Sequence, residues 1–240
     1  MFKHQGKNRT NRHNVGIASL LSFIAGIVNV AGFLAVAKLT TNVTGHFAYF
    51  VEEVFQWRLW NGFVYFLYIL FFFLGSFFSN LMVEIISRKN ENNIYSLPVV
   101  IECGILFFVG IFGEVLIAKH PDVLAYALLF AMGLQNSLVT SISNATVRTT
   151  HLTGLFTDLG IELSQLFFYI QPEEKIKLLS SVKLRLTIIG CFFTGGIVGG
   201  IVYTSIGLLV LSATAGLLLL GLLYDQMLIR ILLLKRKIKQ

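Results

Sequence analysis

Long apolar runs, each about as long as a bilayer core is thick, constrain this chain more than any other feature. They cover residues 15–37, 60–83, 97–117, 123–142, 184–204 and 206–224. A helix rises 1.5 Å per residue, so roughly 20 apolar residues cross the ~30 Å of hydrocarbon. Inside lipid every backbone N–H and C=O needs a partner from the chain itself, so such runs become helices. Charged residues make up only 13% of the chain, where a soluble domain carries about 25%. Too little polar surface remains to cover a water-soluble globule of 240 residues. The expectation is an all-α integral membrane protein with about six transmembrane helices. Residues 1–240 would form one transmembrane domain, with the lipid bilayer as its main surroundings.

Two further apolar stretches, 43–56 and 153–170, are shorter and carry acids: Glu52 and Glu53 in the first, Asp158 and Glu162 in the second. Both follow segments rich in Thr and Gly. They read as half-membrane or interfacial helices, each entered through an extended stretch. With six spans and both termini cytoplasmic, all but three of the 19 basic residues (Lys38, Arg58 and Lys119) face the cytoplasm. An eight-span arrangement, with both acidic stretches crossing, distributes the charge almost as well. Segment length and the acids favour six. The net charge of +7 then reports topology rather than nucleic-acid binding, and the basic tail at 225–240 suits anionic headgroups. Ala35-Val36-Ala37 resembles a signal-peptidase site, but the run before it is long for a signal peptide, so it is read as the first span.

The chain also repeats itself. Thr40-Thr41-Asn42-Val43-Thr44-Gly45-His46-Phe47 returns as Thr149-Thr150-His151-Leu152-Thr153-Gly154-Leu155-Phe156, five of its positions unchanged. Upstream, Gly26-Ile27-Val28-Asn29 pairs with Gly133-Leu134-Gln135-Asn136. Downstream, Phe72-Phe73-Leu74-Gly75 pairs with Phe192-Phe193-Thr194-Gly195. The unit is span, Thr-Thr-x-x-Thr-Gly, short acidic helix, span, span. It covers about 15–117 and again about 123–224. Three crossings per unit turn the second copy upside down, an arrangement common in secondary transporters, whose sites lie near the midplane where interrupted helices meet. With eight spans the copies would be parallel.

Gly26, Asn29, Gly32-Phe33, Thr44-Gly45-His46, Ala131-Met132-Gly133-Leu134-Gln135-Asn136 and Arg148-Thr149-Thr150-x-x-Thr153-Gly154 resemble the YoaK-like family of uncharacterised bacterial membrane proteins. The resemblance runs through Gly195 at least and is closer in the second half. In the first half Asn29 stands where the family tends to have Asp, and His46 where it has Asn. The resemblance implies a multi-span protein of the bacterial inner membrane and supplies no substrate.

Chemistry is expected where polar groups interrupt apolar helices. The candidate path comprises Asn29, Thr40, Thr41, Thr44, Gly45, His46, Gln135, Asn136, Thr149, Thr150, Thr153 and Gly154. A helix starting at Thr44 or Thr153 would turn its N-terminus towards an anion or polar group. Candidate coupling groups are Glu53, Glu102, Asp158, Glu162 and Arg148; Arg148 reads as a partner of Asp158 or of an anionic ligand, or equally as a plain positive-inside residue. The alternative for the acids is plain solvation in the headgroup layer; for Asn29, Gln135 and Asn136 it is helix–helix glue. Gly195, Gly196, Gly199 and Gly200 predict a close helix contact, and Phe71–Phe73 are expected to face lipid. Cys103 and Cys191 lie in apolar runs, and their spacing suggests neither a disulfide framework nor a metal site. No cofactor motif and no nucleic-acid signal is present. Three functions remain open: a secondary transporter of a small polar molecule or ion, a channel of the same symmetry, or an intramembrane lipid enzyme. The last lacks a clustered nucleophile and base. The sequence leaves homo-oligomerisation open.

Overall fold

The computed structural model describes residues 11–89, 94–168 and 171–238. Lys3, Lys7, Arg9 and Lys239, all counted towards topology, lie outside the described residues, as do residues 169–170 of the second acidic stretch. The described chain forms eight helices: α1 Asn11–Val36, α2 Thr44–Phe55, α3 Leu59–Arg88, α4 Ser96–Lys119, α5 Pro121–Ser143, α6 Leu152–Gln165, α7 Pro172–Ile206 and α8 Leu209–Ile238. Among the described residues, α1, α3, α4, α5 and α7 are each long and apolar enough to cross a membrane. The apolar part of α8, Leu209–Asp225, is shorter. Helices α2 and α6 have 12 and 14 residues. At 1.5 Å per residue they extend about 18 and 21 Å, well short of a ~30 Å hydrocarbon core.

Helices α1 and α5 form the centre. In each, 61% of the apolar window is buried, against 17% for α3 and 33% for α4 and α7. Glycines set how closely their neighbours approach. A Cβ on Gly26 of α1 would strike the carbonyl of Phe192 in α7, and one on Gly195 would strike the carbonyl of Phe23. The same happens between α5 and α3: a Cβ on Gly133 would strike the carbonyl of Phe72, and one on Gly75 that of Phe130. Along α1 and α7 the contacts rise together, from Gly195 on Phe23 to Gly199 on Ile27, and along α3 and α5 from Tyr68 on Asp122 to Asn80 on Ser141, so α1 runs parallel to α7 and α3 parallel to α5. Small residues are how membrane helices gain close van der Waals contact, since lipid supplies little hydrophobic drive. Helix α4 meets α8 with the numbers running in opposite senses: the Cys103 thiol lies against the Ala215 carbonyl, and Gly113 against Leu208.

Two local features add to or differ from the sequence reading. Residues 172–183, which precede the apolar run at 184–204, are helical as well and form the first turns of α7. Pro172 sits at the helix start, with Glu173 and Glu174 in the first turn, the residue types that suit a helix N-terminus. Of Phe71–Phe73, expected to face lipid, only Phe73 is exposed. Phe71 stacks on Tyr126, and Phe72 turns towards α5.

Candidate functional site

Helices α1 and α5 end alike. Ala37 follows α1 in the left-handed region (φ 53°), and Asn144 and Ala145 follow α5 (φ 52° and 61°). Non-glycine residues pay about 1 kcal/mol or more for that conformation, so surrounding contacts must hold it. They are found where each chain doubles back along the helix it has just left. The Thr40 hydroxyl donates to the Val28 carbonyl (3.2 Å), and the Thr41 hydroxyl to Asn29 Oδ1 (2.7 Å). In the second break the Thr150 hydroxyl donates to Asn136 Oδ1 (2.9 Å), while Thr149 reaches Asn136 Oδ1 and Gln135 Oε1 (both 3.4 Å). Asn29 lies seven residues before the end of α1, so the first break returns by about 10 Å towards the middle of the helix. Each break then leads into a short helix: α2 starts at Thr44 and α6 at Leu152. No side chain caps either start.

The two breaks meet at a cavity of about 240 Å³. Thr41, Asn42, Val43 and Thr44 line one side. Asn136, Thr140, Arg148, Thr150 and His151 line the other, with Phe72 between. Arg148 is exposed to the cavity, and no hydrogen bond or ion pair satisfies it among the described residues. A second cavity, about 350 Å³, lies next to the first and shares Arg148 and His151. Its wall adds Thr146, Gly154, Asp158, Ser181 and Arg185. Here Asp158 pairs with Arg185 (2.8 Å) rather than with the expected Arg148. Glu162 pairs with the same guanidinium (2.9 Å) and accepts from the Ser181 hydroxyl (2.6 Å). Arg185 sits at the start of the apolar part of α7 and can serve both acids at once because they are one helical turn apart on α6.

Around the first break the chemistry is different. His46 is buried, its Nε2 2.6 Å from the Leu39 carbonyl, and its ring lies 4.8 Å from that of Tyr68. Tyr68 is fully buried, packs on Tyr65 and Tyr126, and donates its hydroxyl to Asp122. Beyond this cluster a third cavity is lined by Lys38, Glu53, Trp60, Asn61, Val64, Tyr65 and Asp122. Glu53 pairs there with Arg58 (2.7 Å) and accepts from Asn61. The Lys38 ammonium lies over the Tyr65 ring.

The expected site residues therefore fall into groups. Thr41, Thr44, Asn136, Thr150 and Arg148 line the central cavity, and Gly154 and Asp158 the adjoining one. Asn29, Thr40 and Thr149 hold the breaks in place without reaching the cavity wall. His46 belongs to the tyrosine cluster, and Gly45 contacts Leu39 beside it. Thr153 is exposed and lines neither of these cavities, and Glu53 lies at the far one. Glu102 is fully buried in α4 and reaches the site indirectly: its Oε1 accepts from Gln135 Nε2 (2.8 Å), and its Oε2 has no partner. Sequence reasoning missed the roles of His151, Arg185, Ser181, Tyr68 and Asp122. Arg185 and Tyr68 are polar groups within long apolar helices, which is the available signal. Pairing them with Asp158, Glu162 and Asp122 takes contacts between helices distant in the chain.

No curated protein and no solved structure gives a significant match to this chain. A family model described as a protein of unknown function, DUF1275, matches residues 17–224. The match takes in both breaks, both short helices and every residue of the central cavity. The chain belongs to DUF1275, the uncharacterised membrane-protein family that includes YoaK.

Proposed function

We propose that this protein is a secondary transporter that moves a small polar molecule or ion through a midplane site between two inverted repeats. Each repeat comprises three crossings and one broken segment: α1 to α4 in the first, α5 to α8 in the second. The reading is supported by the way equivalent residues find equivalent partners. Gly26 and Gly195 meet Phe192 and Phe23 as Gly133 and Gly75 meet Phe72 and Phe130. Thr41 binds Asn29 as Thr150 binds Asn136. Glu53 accepts from Asn61 as Glu162 accepts from Ser181.

Helix directions favour inversion. Helix α4 turns back into α5 at His120, and α7 turns back into α8 at Gly207, whose φ of 59° and ψ of −142° suit glycine alone. Since α4 opposes both α5 and α8, α5 runs with α8. Since α1 runs with α7, which opposes α8, α1 opposes its counterpart α5. Six crossings satisfy all these senses. With α2 and α6 also crossing, α4 and α8 would run in the same direction, against their contacts.

The single observation that carries the proposal is the cavity bounded by both broken segments. Irregular backbone at membrane depth is tolerated where it lines a protein-walled or wet space, and midplane sites between repeats are built this way. The tyrosine cluster closes one approach while the Arg148 side adjoins a larger cavity, which favours alternating access over an open pore. The test is reconstitution into liposomes with uptake of a solute panel under an imposed pH or sodium gradient. A transporter gives saturable flux that responds to the gradient. Fast, non-saturating conduction that ignores the gradient would replace this reading with a channel.

A further inference from the structure

We infer that the central cavity binds a small anion, with Arg148 as its charged anchor. This rests on the transporter reading for its purpose but not for its binding chemistry. Three observations converge. Of the residues lining the cavity, Arg148 is the one with a fixed charge; no carboxylate lines it. Arg148 is also unpaired, whereas the neighbouring Arg185 is held by Asp158 and Glu162. A guanidinium left free beside two nearby acids, one of them half exposed, offers its donors to something else, and planar bidentate recognition of carboxylate or phosphate is what it does best.

Second, the polar remainder of the wall suits an anion. The hydroxyls of Thr41, Thr44, Thr140 and Thr150 and the Asn42 amide can all donate. The hydroxyl protons of Thr41 and Thr150 are committed to Asn29 and Asn136, which leaves Thr44, Thr140 and Asn42 as the free donors. Third, α2 begins at Thr44 and α6 just after His151, both in the wall, and neither first turn is capped by a side chain. Their positive ends add to the field of Arg148 rather than define the site. The volume, about 240 Å³, lies below the usual range for drug-sized ligands and admits an anion of a few heavy atoms. The adjoining cavity, where Arg148 and His151 form a shared rim, is the route by which it arrives.

The test measures binding and flux separately. Purified protein in detergent, held at a fixed excess of sodium chloride, is titrated with sodium acetate, sodium lactate and sodium phosphate, with choline (replacing sodium at unchanged chloride) and glucose as cationic and neutral controls. Thermal stabilisation reports binding. At least one of the three anions should stabilise the wild type saturably. Arg148→Gln should weaken that anion at least tenfold, and Arg148→Lys should restore part of the loss. Because Arg148 is exposed and unpaired, the variants should elute from size exclusion as the wild type does. Stabilisation by choline or glucose instead, or by none of the anions, overturns the inference, as does equal anion binding by Arg148→Gln. Anion binding without flux in liposomes would retain the site and remove the transporter. Gradient-driven flux of the controls alone would do the reverse.

Discussion

After Val36 and after Ser143 the backbone leaves its helix in the same manner. Each break has a left-handed residue, a return along the parent helix, and a threonine bound to an asparagine one turn after that helix's closely packed glycine. Beyond that skeleton the two differ. Tyr65, Tyr68 and a buried His46 pack the first break tight, with Asp122 tied to Tyr68. Arg148, His151 and the Arg185 triad leave the second open to two adjoining cavities. The shared part is what fixes backbone geometry. On the transporter reading, the divergent part would decide which approach is shut. A symmetric scaffold with unequal side chains at its two ends is a direct way to make one side accessible at a time.

The largest expected effect tests the shared part. Gly26→Leu and Gly133→Leu each place a side chain against a backbone carbonyl that cannot move without parting two helices. Overpacking a close contact costs about 3 kcal/mol or more, so both variants should lose the monodisperse size-exclusion peak of the wild type. Sensitivity at only one of the two glycines would break the equivalence of the α1/α7 and α5/α3 pairs.

A smaller effect marks where the breaks diverge. In the first, Thr40 is held by the backbone carbonyl of Val28; in the second, Thr149 is held by Gln135, itself bound to the buried Glu102. Gln135→Leu strips Glu102 of its partner and should destabilise the protein by about 3 kcal/mol, because a buried polar group is left unsatisfied. Replacing both, with Glu102→Leu added, should recover much of the loss, since removing both partners is far cheaper than removing one. A double variant no better than the single one would mean Glu102 is held by more than Gln135. Next come Asn29→Ala and Asn136→Ala. Each removes one threonine's acceptor and should cost about 1 kcal/mol in thermal unfolding. The sharper expectation is that the two losses match; a clear inequality would show that one break relies on other contacts.

How much of this was legible beforehand follows from what each feature needs. The crossing helices follow from apolar run length, and the breaks from Thr and Gly recurring after Asn29 and Asn136, because both signals are local. The repeat offset pairs Glu53 with Glu162, but their cationic partners are unlike: Arg58 lies five residues from Glu53, whereas Arg185 is on another helix. The cavity was not legible, because its two walls, at 41–44 and 136–151, lie far apart in the chain and meet only once α3 packs on α5. Of the readings of Arg148, the pair with Asp158 is the one that does not form, for the same reason. It used nearness in sequence, while Arg185, brought in by α7, lies between Asp158 and Glu162 and takes both. The helical lead-in at 172–183 was outside what apolar run length marks, because its residues are charged, although Pro172 and the two following glutamates fit the start of a long helix.

The smallest expected effect on stability bears on the divergent part. Tyr68→Phe keeps the ring against His46 and Tyr126 and removes only the hydroxyl that binds Asp122. Asp122 sits in the first turn of α5, partly exposed, where the helix N-terminus favours a carboxylate. Water and that dipole replace the lost donor, so unfolding should shift by about 1 kcal/mol or less. Access should change more than stability. In a Cys103→Ala, Cys191→Ala background, Thr44→Cys places one thiol in the wall of the central cavity. A membrane-impermeant maleimide added on the side of the tyrosine cluster should label it slowly, and several-fold faster once Tyr68→Phe unties the cluster from α5. Labelling from the Arg148 side should be quick in both backgrounds. If the tyrosine-side rate does not respond to Tyr68→Phe, the closure lies in ring packing alone, and Tyr68→Ala must raise it where Tyr68→Phe did not. If neither variant changes it, the first break is shut by something other than this cluster, and the contrast between a closed and an open end loses its structural basis.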